Sequence, residues 1–288
     1  MKIERLIKDF QGDIASKKII QDWQESFIKR QFVEKRFNKF TGYLFILGDL
    51  HIPYTNWDLV FKEVIPDIIE TKKKNKVLVV LPGDTLNCDL FSDFPKMENT
   101  FLPTEEVKIA KNFTGLLKRA GCQTIMILSN HETRLIKFIK NTINGWMEQK
   151  ELIHFLKTWD ELFGNNVSVI ENWFCEIADT VITHGKPASN VKGRTVHWAL
   201  QYFENFKKWI LPNEFNVVIQ AHNHQQGIVV HQGKIGIEVG TLSKPITYQF
   251  NDKGYQYGKW GDWCRGYCKI HLVNGKTDKK GIQLTNLD

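Results

Sequence analysis

Residues 43–51 read Tyr43-Leu44-Phe45-Ile46-Leu47-Gly48-Asp49-Leu50-His51. An unbroken apolar run of this length is a strand buried on both faces. The glycine ends it, and a carboxylate and an imidazole follow at once. Side chains two apart in an extended chain share a face, so Asp49 and His51 are placed to grip one metal ion. Asp-x-His alone is frequent by chance, but the same design recurs four times. The run 77–81 leads into Gly83-Asp84-Thr85-Leu86-Asn87, and 123–128 leads into Ser129-Asn130-His131-Glu132. Strand 180–183 delivers Thr183-His184-Gly185, and Asn216-Val217-Val218-Ile219-Gln220 ends in Ala221-His222-Asn223-His224.

Between these strands the apolar period changes to that of helices. The stretch 56–72 carries Trp57, Val60, Phe61, Val64 and Ile68 on one face, and further helices are predicted over 104–120, 131–162 and 191–209. Short strands are expected at 167–170, 173–177, 227–231, 235–239 and 267–273. Strand–helix–strand spacing of this kind implies parallel pairing with crossover helices. The chain therefore reads as one α/β domain over 41–288, with polar residues gathered at strand ends, where sites form in such sheets. Residues 1–40 read as a separate helical arm: Ile3, Leu6, Ile7 and Phe10, then Ile19, Ile20, Trp23, Phe27 and Ile28, follow helical spacing. Two helices around the turn at Gln11-Gly12-Asp13 either grip DNA or form an arm that packs on the main domain or mediates self-association, and the second is the simpler reading.

Composition narrows the class. Of 288 residues, 42% are hydrophobic and 25% charged, as in an ordinary water-exposed globular chain. The longest apolar runs fall far short of the roughly 20 residues needed to cross a bilayer, and Met1-Lys2-Ile3-Glu4-Arg5 does not begin a signal peptide. Five scattered cysteines read as reduced thiols, which places the expectation in the cytoplasm with no membrane partner. The formal net charge of +7 favours polyanionic partners, nucleic acid first among them.

The strand ends together offer Asp49, His51, Asp84, Asn130, His131, His184, His222 and His224. The Asp and His residues are too many for one four-coordinate site and enough for two ions. A pair of ions needs a bridging carboxylate, and Asp84 stands alone at a central strand end to serve. Imidazole with carboxylate and no thiolate suits manganese, with iron, zinc or nickel as alternatives. Such a pair binds a phosphoryl oxygen and a hydroxide and drives in-line attack at phosphorus.

The order Gly-Asp-x-His, Gly-Asp-x-x-Asn, Asn-His-Glu, His-Gly, His-x-His resembles the calcineurin-like metallophosphoesterase superfamily over about residues 43–245. The resemblance implies an α/β sandwich of two mixed β-sheets flanked by helices. It implies that Asp49, His51 and His224 hold a first metal, that Asp84 bridges, and that Asn130, His184 and His222 complete the second. It implies that His131 is a general acid facing the leaving oxygen, and that a hydroxide bridging the ions attacks phosphorus. Three positions depart from the family pattern: Asn87 stands where Asp is usual, and Ser129 and Ala221 replace glycines. Asn130 suits contact with a phosphoryl oxygen, and Arg134, three residues after His131, is a candidate phosphate clamp or a helix-surface ion pair.

Two substrate classes follow. The first is a phosphodiesterase or nuclease acting on DNA or RNA. It is supported by the charge, the basic arm and the ring-and-cation stretch Tyr248, Tyr255, Tyr257, Lys259, Trp260, Trp263 and Arg265. Those rings equally suit packing against the last strands or a homo-oligomer interface. The second is a phosphomonoesterase acting on protein or nucleotides, to which Asn130-His131-Glu132 with Arg134 points.

Overall fold

Alternation in the first strand sorts its side chains between two cores. In β1 (Gly42–Ile46), Leu44 and Ile46 point into an apolar layer between two sheets, whereas Phe45, with Leu47 just beyond, faces helices on the other side. The computed structural model describes residues 37–92, 101–134, 137–138, 141, 163, 167–185, 188–211, 214–245 and 263–288. After β1 comes a helix that is α over Trp57–Leu59, π over Val60–Val64 and α again over Ile65–Lys72, together α1. Then follow β2 (Val77–Leu81), a 3₁₀ turn at Asp89–Phe91, α2 (Pro103–Arg119) and β3 (Gln123–Ile127). The second half holds β4 (Val167–Ile170), β5 (Phe174–Ile177), β6 (Thr180–His184), α3 (Arg194–Ile210) and β7 (Val217–Ala221). It closes with β8 (Gln226–His231), β9 (Lys234–Val239), β10 (Gly266–Val273) and β11 (Lys276–Asn286).

The six-stranded sheet runs β11-β10-β1-β2-β3-β4 and the five-stranded sheet β5-β6-β7-β9-β8. Strands β1 to β4 are mutually parallel, as are β6, β7 and β9, while β5, β8, β10 and β11 pair antiparallel. The inter-sheet core joins Leu44, Leu78, Val80 and Ile125 to Ile182, Ile219, Ile237 and Val239. Helices α1 and α2 cover the outer face of the first sheet through Val60, Val64, Ile68, Phe113 and Leu117. Helix α3 covers the second through Val196, Leu200 and Phe203. The expected sandwich of two mixed sheets flanked by helices is the observed fold.

Strand β11 has no counterpart among the predicted strands, which end at 267–273. It is an edge strand entered through a two-residue Asn274-Gly275 turn, both residues at positive φ (50° and 74°), the hairpin geometry that Asn-Gly favours. Of the predicted arm over 1–40, residues 1–36 lie outside the described residues. Phe37, 5% exposed, packs into the inter-sheet core and meets Phe40 edge-on. Most of the 131–162 helix, and Tyr248, Tyr255, Tyr257, Lys259 and Trp260, also lie outside them. No helix among the described residues is long and apolar enough to cross a membrane, and all five cysteines are free.

Candidate metal centre

The parallel strands all point their carboxyl ends to one rim, and the five motifs meet there. Asp49 and His51 follow β1, Asp84 follows β2, Asn130 follows β3, His184 is the last residue of β6, and His222 and His224 follow β7. Two ligand groups result, Asp49 with His51, Asp84 and His224, and Asp84 with His184 and His222. Within each group the ligand atoms lie within 4.8 Å of one another. Asp84 belongs to both, its carboxylate 3.6 Å from His51 Nε2 and 3.3 Å from His184 Nε2. His51 Nε2 faces His224 Nε2 at 3.1 Å, and His184 Nε2 faces His222 Nδ1 at 3.2 Å. Two imidazoles bound to one ion at the usual ~2.1 Å stand about 3 Å apart at right angles, so both separations fit metal ligation. The buried Oδ1 of Asn130 has no hydrogen-bond partner among the described residues, as expected of an oxygen kept for a cation. The donor set of this chain therefore fits a divalent metal site at Asp49, His51, Asp84 and His224.

Backbone strain concentrates in these residues. Asp49, His51, Asp84, His222 and His224 all have φ between 45° and 91°, a region that non-glycine residues seldom adopt. The surroundings hold them there. The backbone N–H of His222 donates to both oxygens of Asp49 (3.2 and 2.9 Å), and the Thr241 hydroxyl donates to the Asp49 carbonyl (2.8 Å). Gly83, before Asp84, sits at φ +115°, and a Cβ there would lie 2.6 Å from the His184 ring. The glycine in this motif is thus dictated by a ligand from the other sheet.

Electrostatics follow from burial. Burial pushes Asp49 up to about 8, against the pull of His184. Burial opposes the charge on His184, but Asp84 and Asp49 outweigh it and raise the ring to about 9. Burial holds His51 down to about 4 despite Asp84, and keeps His224 well below the usual range. The low-lying imidazoles are neutral, the form that binds metal, and a divalent ion would displace the protons that Asp49 and His184 retain.

Around the ligands lies a web that the sequence motifs only partly announced. Asn87 Oδ1 stands 3.1 Å from His51 Nδ1 and orients that ring. The Ser129 hydroxyl, which replaces a glycine, accepts from the backbone of Asp84 (2.9 Å) and His131 (3.2 Å) and contacts the Asp84 and Glu132 carboxylates. Glu132 also accepts from Leu86 N at 2.9 Å. Buried Glu106, on α2, accepts from the backbone of Asn87 (3.1 Å) and Cys88 (2.8 Å) and fixes the loop after Asp84. No motif signals Glu106, because its partners are main-chain groups far along the chain.

His131 Nδ1 lies 2.8 Å from the Asn87 carbonyl, and its Nε2 lies 2.9 Å from Arg134 Nη2 and 3.7 Å from Asp84. Arg134 Nη1 donates to the Asn87 carbonyl (2.9 Å) and to Asp89 (3.1 Å). The residue thought to clamp phosphate thus holds the loop, Asp89 and His131. It still lines a cavity of about 600 Å³ beside the metal ligands, with Asn130, Thr133, Lys137, Trp173 and His184. Trp263 sets its ring 3.9 Å from that of His224, and Arg265 pairs with Asp288 at 2.6 Å, so the described part of the aromatic stretch packs against the domain.

Solved structures to which the chain is similar include vacuolar protein sorting 29 from Cryptosporidium parvum (15% identity, 86% of this chain, 99% of that one, TM-score 0.41). A zinc complex of the Entamoeba histolytica protein of that name follows (10%, 85% and 98%, TM-score 0.42), and an archaeal phosphodiesterase (16%, 85% and 99%, TM-score 0.37). No curated protein matches the chain in sequence. The family model described as calcineurin-like phosphoesterase matches residues 43–236, the span that carries all five motifs. The chain belongs to the calcineurin-like phosphoesterase family and is a metal-dependent phosphoesterase.

Proposed function

We propose that the chain is a phosphodiesterase that uses two divalent ions, manganese first among them, to cleave phosphodiester bonds of nucleic acid. The observation that carries this reading is the sharing of Asp84 between two ligand groups beside a polar cavity. Asp49, His51, Asp84 and His224 would hold one ion, and Asp84, Asn130, His184 and His222 the other. When bound, such a pair supplies Lewis-acid stabilisation of the phosphoryl charge and activation of water near neutral pH.

The chain's own residues do the rest. Asn87 turns the His51 ring toward the first ligand group, and Ser129 and Glu132 fix the Asp84 loop. His131 is proposed to protonate the leaving oxygen. Its Nδ1–H is anchored on the Asn87 carbonyl; Nε2, which accepts from Arg134 in this structure, would first turn from the guanidinium and take up a proton from solvent, and that proton is the one given to the leaving oxygen. Arg134 supports the diester over the monoester. A phosphomonoester dianion calls for an uncommitted bidentate cation, whereas this guanidinium already neutralises Asp89. The +7 charge supports a polyanionic substrate.

The test is hydrolysis of bis(p-nitrophenyl) phosphate against p-nitrophenyl phosphate by the manganese-loaded chain, with Asp84→Ala alongside. A preference for the diester, absent from Asp84→Ala, is expected. Preference for the monoester would overturn the diesterase reading and return Arg134 to the role of clamp.

A further inference from the structure

A second cavity of about 630 Å³ adjoins the metal centre, lined among others by Trp173, His184, Gly185, Trp198, Tyr202 and Gln220. It shares Trp173 and His184 with the polar cavity, so one wall of a metal ligand and an indole separates the two. Its character is different, being walled almost wholly by apolar and aromatic surface. Thr195, Trp198, Ala199 and Tyr202 come from one face of α3, at the spacing i, i+3, i+4, i+7. This is a second apolar stripe on that helix, distinct from Val196, Leu200 and Phe203, which meet the sheet.

Three large rings stay open to solvent here: Trp173 at 37%, Trp198 at 43% and Tyr202 at 40%. Trp173 is held by Phe174, Tyr202 and Phe203 with centroid distances of 4.9–5.6 Å. Trp198 has no ring partner among the described residues, so its face is available. The polar lining is sparse. Thr183 donates its hydroxyl to the Trp173 carbonyl and Thr195 donates to Glu238. Gln220 is different: it is 2% exposed, yet its carboxamide makes no hydrogen bond among the described residues. Gly185 leaves it room, since a Cβ there would fall 2.8 Å from Gln220 Nε2. An amide without a protein partner in the wall of an aromatic slot suits a ligand with a donor and an acceptor on a flat apolar body.

We propose that this cavity is a nucleobase subsite, in which an unpaired base stacks on the Trp198 and Trp173 rings while Gln220 reads its edge. Adenine matches best, because a carboxamide pairs with its N6 and N7 as acceptor and donor. A base seated there brings the adjoining phosphodiester to the shared wall at His184, next to the ligand groups. The subsite rests on the phosphodiesterase reading, and it narrows the substrate to a single-stranded or frayed nucleic acid, since a base inside a duplex cannot enter.

The test compares two esters with the same leaving group: adenosine 5′-(p-nitrophenyl) phosphate and methyl p-nitrophenyl phosphate, which has no base. With the full manganese-loaded chain, kcat/KM is expected to favour the adenosine ester at least tenfold. Trp198→Ala, on an exposed helical face, should lower that ratio at least tenfold. Trp198→Phe should keep most of it, and Gln220→Met should flatten the preference for adenine over thymine. A ratio unmoved by Trp198→Ala would overturn the proposal, as would a concentration-dependent dimer lost in that variant, which would give the cavity to a second copy. If neither ester is cleaved, the phosphodiesterase reading fails on its own. Tryptophan quenching by oligo-dA against an abasic oligonucleotide then decides the subsite, and equal quenching by both would overturn it.

Discussion

Arg134 Nη2 lies 2.9 Å from Nε2 of His131. A guanidinium only donates, so this nitrogen is the acceptor and the ring proton sits on Nδ1, where the Asn87 carbonyl receives it at 2.8 Å. Arg134 therefore fixes both the tautomer and the direction of His131. A phosphate clamp and a positioning residue fail differently when removed. Arg134→Ala is expected to lower kcat on the diester about 10–100-fold, with KM within about threefold of wild type. The loss should be smallest for the best leaving groups. Arg134→Lys should not restore the rate, because an ammonium cannot span Asn87, Asp89 and His131 with one planar fork. A variant that changed KM alone would assign Arg134 to substrate.

Asp84 is the one carboxylate common to the two ligand groups, and the imidazoles around it hold it ionised against the cost of burial. Its replacement should be felt at both. Asp84→Ala is expected to lose at least one of two bound metal equivalents, read by elemental analysis of the purified chain. A thermal readout is independent of turnover. Metal at a hundredfold excess over Kd stabilises a folded protein by about 2.7 kcal/mol, so wild type should gain several degrees in Tm with manganese. Asp84→Ala should gain far less.

The site was more legible than its supports, for a physical reason. Ligands sit where buried parallel strands end, and an apolar run followed by Asp or His is a local pattern that survives in one dimension. The same holds for Asn87, which lies in the motif it serves. The sequence marks Ser129 only as a small residue in place of glycine, although its hydroxyl bonds Asp84, His131 and Glu132. Glu106 and Gln220 act across 18 or more residues on main-chain groups or an open cavity, and nothing in their neighbourhood marks them. Strand β11 (KTDKKGIQLTN) was missed because an edge strand needs no apolar alternation on its solvent side, and its lysines read as loop. The Asn274-Gly275 turn before it was the available signal.

Glu106 carries a stability prediction with a definite sign in pH. Burial pushes its carboxyl up to about 8, with Asp89 adding to burial and the Asn87 and Cys88 amides opposing. The folded chain thus retains a proton that the unfolded chain releases near its model value of 4.5. Its stabilising effect is complete below 4.5 and fades as pH rises toward 8. Glu106→Gln keeps an acceptor for both amides and removes the titration, so its unfolding free energy should fall less steeply than wild type between those values. Glu106→Ala leaves two buried N–H groups without an acceptor and should cost about 2–4 kcal/mol near pH 5, a gap that narrows as pH rises toward 8. Urea unfolding of the three proteins at pH 5, 6.5 and 8 checks both statements.

Asp67 titrates in the opposite sense. On α1, its Oδ1 receives Lys269 Nζ at 2.7 Å and its Oδ2 the Tyr267 hydroxyl at 2.7 Å, which ties the helix to β10. Burial alone would raise this carboxyl, but the bonds to Lys269 and Tyr267 outweigh it and hold it below 3.8. Its contribution is therefore present above that value and is lost as pH falls through the folded one. The group is partly exposed, so solvent screening limits its worth to about 1–2 kcal/mol. Asp67→Asn should lower Tm at pH 7, and the gap to wild type should narrow as pH falls below about 4. A gap that stayed constant down to pH 3 would place the effect in packing between α1 and β10 instead of in the charge.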